Sequence, residues 1–479
     1  MSRSVKTSAE IDGARVEIVP GRNVCLDIRV NGLKSRLAAF CLLMVSLSLL
    51  PLDAFAQITE SLLPYPVTPR TPQEQPSAFA PIGLRVGDFF WFPHAELDEA
   101  YNSNIFATST RPSSDLITAL TTGFDLRSNF SSNSLNAHGA SLLQAYADHS
   151  AQNTQDGVIS ADGTLDVTAG SYLYGTAQVA HQHIAYGSPN SPGSIAEPVT
   201  YWDYTATAGY VQGGRRFSYE VDVGVTSVQY NAAQLVGGGV LPQSSQDGTA
   251  SSAAVTGRYE IIPDYLGYVR VTGSLFDYWH TVPGEKRPNF TTYRVDLGLQ
   301  ILPRNHIIYG DAYAGYSVQN FAQSSLGSTS TPDFGGDLTW TITPLTTLTL
   351  TGLMTFNTGT PGNSAFNTGT PGTSFTGLST LGTSIPTAGN SYLSRVFSAG
   401  VNHQLLPNLQ LGLTGTYIND TFQGISRVDN VFLVNAAVRY QVNRHLYLGG
   451  DVYYTQQSST AAGASFSQNI FTLRAGTQF

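Results

Sequence analysis

The chain has two cysteines, Cys25 and Cys41, and both lie in its first 56 residues. The rest is cysteine-free, so it must be held by its own hydrogen-bond ladder and packing, without disulfides. Lysine is nearly as scarce: past residue 56 only Lys286 remains. Charged residues make up 12% of the 479, against about 25% in ordinary soluble domains. No stretch approaches the run of about 18 apolar residues that a membrane-crossing helix needs. The first 56 residues hold 7 of the 24 Lys and Arg and 5 of the 33 Asp and Glu. The remainder keeps 17 basic and 28 acidic residues, with no basic stripe, which argues against a nucleic-acid partner.

What is present points to strands. The chain is 41% hydrophobic, with 47 Gly and 25 Tyr. Near-neutral hydropathy, low charge and abundant Gly, Tyr and Thr suit strands that face two different solvents. A secreted β-sandwich or β-helix shares that composition. The N-terminus favours export. In "KSRLAAFCLLMVSLSLLPLDAFAQ", Lys34 and Arg36 precede an apolar run from Leu37 to Leu50, and Ala54 and Ala56 form an A-x-A site. This predicts a signal peptide over residues 1–56 with a long n-region and cleavage after Ala56. Residues 57–83 carry Pro64, Pro66, Pro69, Pro72, Pro76 and Pro81, and read as an extended periplasmic linker. Strand patterning then runs over 84–479.

Short breakers recur between strands. Pro263-Asp264, Pro303-Arg304-Asn305, Pro344, Pro407-Asn408 and Asn443-Arg444 each separate two alternating runs. Weaker versions occur in "NFSSNSLN", "VTAGSYLYG" and "VQGGRRFSY". Proline presets φ and asparagine tolerates turn geometry, so these read as about eight tight hairpins. Long polar segments lie between them. The longest spans Asn357 to Asn390 and contains the direct repeat "FNTGTPGNSAFNTGTPG", read as low-complexity slippage in a tolerant loop. Tight turns alternating with long loops predict an all-β fold: a transmembrane up-and-down antiparallel β-barrel of about 18 strands. An even strand count puts both termini on the periplasmic side.

The two faces of each strand support this. Tyr293, Val295, Leu297, Leu299 and Ile301 alternate with Arg294, Asp296 and Gln300. Phe217, Tyr219, Val221, Val223 and Val225 alternate with Glu220 and Asp222. A charge on the lipid face at mid-membrane costs about 2–4 kcal/mol, which directs the charged face inward. Candidate lumen-lining residues are Asp125, Arg127, Glu220, Asp222, Arg270, Arg294, Asp296 and Arg439. Aromatic groups at Phe89–Phe92, Tyr201-Trp202, Tyr278-Trp279 and Tyr453-Tyr454 suggest interfacial girdles. The ending "FTLRAGTQF" alternates apolar Phe471, Leu473 and Phe479 against Arg474, and resembles the C-terminal assembly signal of outer-membrane barrels.

Catalytic and metal-binding sets are hard to find. The nine histidines are scattered, and none stands beside a serine in a recognised motif. His181 and His183 share a strand face without a third ligand. Asp162 and Asp166 also share a face, more simply read as polar lumen wall than as a paired-carboxylate site. The expectation is no enzyme, no metal and no cofactor.

The stretch "GDFFWFPHAELDEAYNSNIFATSTRPSSDLITALTTGFDLRSNF" carries an aromatic strand ending in Phe92-Pro93, then Glu99–Thr108, then Ser114-Asp115. It resembles the start of the "Putative beta-barrel porin 2" family of Gram-negative outer membranes. The spacing departs once, with Ala100 between Glu99 and Tyr101. "ADGTLDVT" and "GSPN" resemble the family's next strands. The resemblance implies an outer-membrane location and a pore associated with exopolysaccharide export, working with a periplasmic polysaccharide-export partner. Outer-membrane lipid, lipopolysaccharide and the barrel-assembly machinery are the other expected partners. The leading expectation is a pore for exopolysaccharide or other hydrated solutes. The alternative is a surface adhesin or structural barrel that uses its long loops.

Overall fold

The computed structural model describes residues 7–11, 14–18, 78–186, 195–280, 289–302, 307–322, 327–357, 392–423 and 426–479. The chain divides into two units, Met1–Phe55 and Ala56–Phe479. In the first, Thr7–Ile11 pairs antiparallel with Ala14–Ile18. The expected signal-peptide core, its cleavage site, most of the proline-rich linker, Lys286 and the repeat-bearing loop lie outside the described residues.

The second unit is a closed barrel of antiparallel strands. They are β1 (Phe89–Asn102), β2 (Asp115–Ser128), β3 (Ser134–Tyr146), β4 (Thr154–Thr168), β5 (Ser171–His183) and β6 (Thr200–Gln212). Then come β7 (Phe217–Tyr230), β8 (Gly248–Ile262), β9 (Tyr265–Tyr278), β10 (Phe290–Ile301), β11 (Ile308–Phe321) and β12 (Ser328–Thr343). The last are β13 (Thr346–Asn357), β14 (Tyr392–Leu406), β15 (Leu409–Phe422), β16 (Val428–Gln441), β17 (Leu446–Ser459) and β18 (Phe466–Gln478). The count of 18 agrees with the sequence expectation. A three-residue strand, Leu84–Val86, folds back on the start of β1. Every strand pairs with its chain neighbour, and β18 pairs with β1 from Ile470↔Asn102 to Gln478↔His94. Closure leaves no edge of unpaired backbone groups, the condition for a sheet in hydrocarbon. The strands run from 12 residues in β10 to 16 in β12. A tilted strand crosses a bilayer in about 9–11 residues, so each extends past the apolar layer.

The described tight connections fall where the breakers predict, on one rim, and Pro303-Arg304-Asn305 lies outside the described residues. Four of them, at Ala169-Gly170, Pro263-Asp264, Pro344-Leu345 and Pro407-Asn408, share a device. In each the register shifts by one residue just before the turn, between Asp166 and Thr168, Glu260 and Ile262, Thr341 and Thr343, and Gln404 and Leu406. The extra residue adds the local twist that lets a two-residue turn close. Asp264 takes a left-handed φ of 72°, a conformation that aspartate tolerates better than most residues. The opposite rim is less uniform than expected. Residues 231–247 form a long connection there, but 322–327 and 423–427 are short.

Burial is inverted relative to a soluble protein. The largest fully buried side chains include Gln319, Gln457 and Glu220, while Leu297 is 63% exposed and Leu473 73%. Polar residues fill the interior and apolar rows face outward, so the outer surface suits lipid and the inner one water. The aromatic girdle is thinner than the sequence suggests. Trp91 and Trp202 face out, but Tyr201, Tyr278 and Tyr453 are buried within. Neighbours along a strand point to opposite faces, so only one of two adjacent aromatics can reach the interface.

Candidate functional site on the inner wall

The inner wall is built from hydrogen bonds that skip a strand. Tyr174 on β5 reaches past β6 to donate its hydroxyl to Glu220 on β7, 2.5 Å away. Tyr268 on β9 passes β10 to Asp311 on β11 at 3.1 Å. Tyr447 on β17 passes β18 to Glu96 on β1 at 2.7 Å. The strand crossed presents a glycine each time: Gly209, Gly298 and Gly476, where a Cβ would overlap the tyrosine ring. Only a missing side chain lets the ring lie flat on the wall.

Charges knit two sectors of the wall. From β7 to β12, Glu220 pairs with Arg258, both nearly inaccessible. Asp222 lies 3.9 Å from Arg270. Arg294 bridges Asp296 at 2.8 Å and Asp333 at 2.6 Å, with its guanidinium 4.8 Å from the Tyr313 ring centre. Across the closing seam, Arg474 holds Asp451 at 2.5 Å, with Glu96 at 3.6 Å and Asp98 at 3.8 Å. Arg439 stacks 3.6 Å over Tyr447 and donates to Gln478 at 3.1 Å. On β2–β4, His138 lies between Asp125 (2.6 Å) and Asp162 (3.0 Å), and Asn136 also donates to Asp162. Arg127 sits 3.5 Å from Asp125 and over the Phe92 ring.

All eight sequence-selected charged residues therefore occupy the face opposite the exposed apolar rows. Glu220, Asp222, Arg270, Arg294 and Asp296 come together in the β7–β12 sector. Asp125 and Arg127 are neighbours in the β2–β4 sector, and Arg439 belongs to the seam. Sequence reasoning missed Arg258, Asp333, Asp311, His138, Glu96 and Asp451. The alternation in "AAVTGRYE" and "LGGDVYY" marks Arg258 and Asp451 as inward, so that signal was available. Phe471, Leu473 and Phe479 are exposed on the outer face, and the backbone N–H of Phe479 donates to the Pro93 carbonyl.

The rim with the longer connections is partly filled. Ile184, Ile195 and Ala233 from the connections pack on the inward residues Val228, Tyr201 and Tyr230. Ala107 packs on Phe466, with Tyr186 beside both groups. Gln152 donates to the Ala196 carbonyl at 2.9 Å and accepts from the Tyr186 hydroxyl at 2.6 Å. Connections from this side thus turn into the mouth. Asp247 in this layer is buried, which raises its carboxyl above the usual range against the opposing N–H of Tyr230 at 2.8 Å.

The rim also brings a serine to a histidine, which no sequence spacing revealed. Ser113 Oγ lies 3.3 Å from His149 Nε2, and His149 Nδ1 lies 2.8 Å from Asp115. Asp115 also accepts backbone N–H groups from Leu116, Asp148 and His149. That carboxylate ties the 147–153 connection to β2, and it anchors the loop. His181 and His183 do not converge: one faces the Gln155 carbonyl and the other Asp156. Among the described residues no group of three His, Cys, Asp or Glu could hold a metal.

A closed barrel with an apolar exterior and an ion-paired interior defines an outer-membrane protein of the porin type, located in the outer membrane of a Gram-negative bacterium. The profile of the family described as "Putative beta-barrel porin 2" matches residues 75–370 and 368–479, and the chain belongs to that family. No curated protein sequence matches it. Among solved structures it is similar to the outer membrane protein OpdK from Pseudomonas aeruginosa, with 11% identity, TM-score 0.41, and 81% of this chain and 99% of that one covered. OccAB3 of Acinetobacter baumannii gives 12% identity, TM-score 0.40, and coverage of 82% and 100%. OccK2 (OpdF) of Pseudomonas aeruginosa, solved in complex with glucuronate, gives 12%, 0.41, and coverage of 82% and 97%.

Proposed function

We propose that this barrel is a water-filled pore that passes exopolysaccharide or other hydrated solutes across the outer membrane. The observation that carries this reading is the polar inner wall of a closed barrel of 18 strands. A barrel of about this size leaves an aqueous channel, where a small one is filled by its own side chains. Asp125, Arg127, Glu220, Asp222, Arg270, Arg294, Asp296 and Arg439 line that channel and set its local field. They act on passing solutes without performing chemistry on them. The tight-turn rim, where β1 starts and β18 ends, faces the periplasm in this reading, with both termini. A periplasmic polysaccharide-export protein docks there, and Phe471, Leu473 and Phe479 serve the assembly machinery. Planar-bilayer recording of the purified chain tests the pore. Steps of conductance are expected, and their absence with and without an export partner refutes an open channel.

A further inference from the structure

We propose that the lumen is cation-selective and rejects polyanions, so the solute or polysaccharide it passes is neutral or positively charged. This rests on the pore reading above and narrows it. The buried residues of the described chain include twelve carboxylates and three arginines, Arg258, Arg294 and Arg427, the last paired with Asp429. The arginines of the wall already have partners. Arg258 holds Glu220, Arg294 holds Asp296 and Asp333, and Arg474 holds Asp451. Arg439 is stacked on Tyr447. The wall cations left to meet a passing anion are Arg439, stacked on a neutral ring, and Arg127, 42% exposed beside Asp125, fewer than the surplus carboxylates.

The surplus carboxylates are in a different position. Asp311 and Asp337 are half-buried on the inner faces of β11 and β12, and Asp203 is half-buried on β6. Each accepts a neutral hydroxyl: Tyr268 at 3.1 Å, Thr351 at 2.7 Å and Thr205 at 3.1 Å. Among the described residues none of the three has an ion-pair partner within 4.0 Å, so their charge faces the channel. Three more carboxylates add to the acidic wall, Asp98 beside Arg474 at 3.8 Å, Asp156 beside His183 at 2.7 Å, and Asp420. Asp98, Asp156 and Asp420 are more than nine-tenths buried, and each keeps one oxygen without a hydrogen-bond donor among the described residues. Carboxylates are spread from the tight-turn half, at Asp311 and its cross-strand neighbour Asp337, to the loop half, at Asp203 and Asp420. An ion thus meets negative potential along the whole path. Low-dielectric walls focus that field, concentrate cations and repel a chain of like charges.

The test is reversal potential across a planar bilayer holding the purified full chain, under a potassium chloride gradient. Potassium is expected to exceed chloride in permeability severalfold. Asp311→Asn with Asp337→Asn keeps both hydroxyl bonds and should lower that ratio while conductance persists. Asp203→Asn, in the other half of the barrel, is a second variant should the pair fail to assemble. Dextran oligosaccharides added to the wild-type channel should interrupt the current, and oligogalacturonate of equal length should not. Clear conductance with a reversal at zero or on the chloride side overturns the selectivity and leaves the pore standing. Entry of oligogalacturonate as readily as dextran does the same. Absence of any conductance removes the pore reading and the selectivity together.

Discussion

Arg294 offers a quantitative test of how the wall is held. Its side chain is 4% exposed and contacts Asp296 at 2.8 Å and Asp333 at 2.6 Å, both also 4% exposed. Replacing it with methionine keeps most of the volume and removes the cation, leaving two buried carboxylates without that guanidinium. Breaking a buried ion pair from one side costs about 3–5 kcal/mol. Water in the lumen screens part of the repulsion, so a loss of about 3 kcal/mol is expected, a factor of over a hundred in the folding equilibrium. The assay is urea unfolding of the barrel in detergent, followed by tryptophan fluorescence and by the heat-dependent gel shift. Asp333→Asn in the Arg294→Met background should recover about 2 kcal/mol, because it removes the stranded charge. A loss below about 1 kcal/mol, or no recovery in the double variant, would refute the view that this triad braces β10 and β12 across β11.

Gly476→Ala puts a methyl into the Tyr447 ring and should cost about 2 kcal/mol in the same unfolding assay, with Tyr447→Ala partly relieving it. Leu297→Arg, on the lipid face of β10, should destabilise by about 2–4 kcal/mol in bilayers, while Thr292→Arg on the inner face should be tolerated far better. Asp115→Asn weakens the anchoring of 147–153, so limited proteolysis should cut there sooner while the barrel stays intact. Removing Phe479 should lower the amount of assembled barrel in outer-membrane fractions without a matching fall in synthesis.

The strand order was legible because it depends on local chemistry. Proline and asparagine mark Pro263-Asp264 and Pro407-Asn408 as turns whatever surrounds them, and period-two alternation assigns Arg294 and Val295 to opposite faces. Partners were not legible. Alternation says which way Asp333 points but not its height on the wall, which depends on strand tilt and stagger around the whole barrel. Hence Arg294 finds Asp333 two strands away, and Ser113 finds His149 across two connections. Apolar residues such as Ile184 and Ile195 sit in segments that read as irregular polar loops. Their packing on Tyr201 and Val228 appears only once those strands stand side by side. Clustering in sequence overstates the girdle because adjacent aromatics such as Tyr201 and Trp202 point to opposite faces.

The strand-skipping tyrosines have a consequence for assembly fidelity. A closing barrel can mispair by sliding one strand along its neighbour by two residues, which keeps every apolar side chain outward and nearly every backbone bond satisfied. At the seam such a slip of β18 would bring Arg474 or Gln478 beneath the Tyr447 ring in place of Gly476. At β10 it would bring Asp296 or Gln300 beneath Tyr268 in place of Gly298. Each glycine therefore acts as a notch that only one alignment can engage. At the seam the Gly476 notch checks β18 against β17, and the Tyr447–Glu96 hydrogen bond carries the check across to β1, where the ring closes.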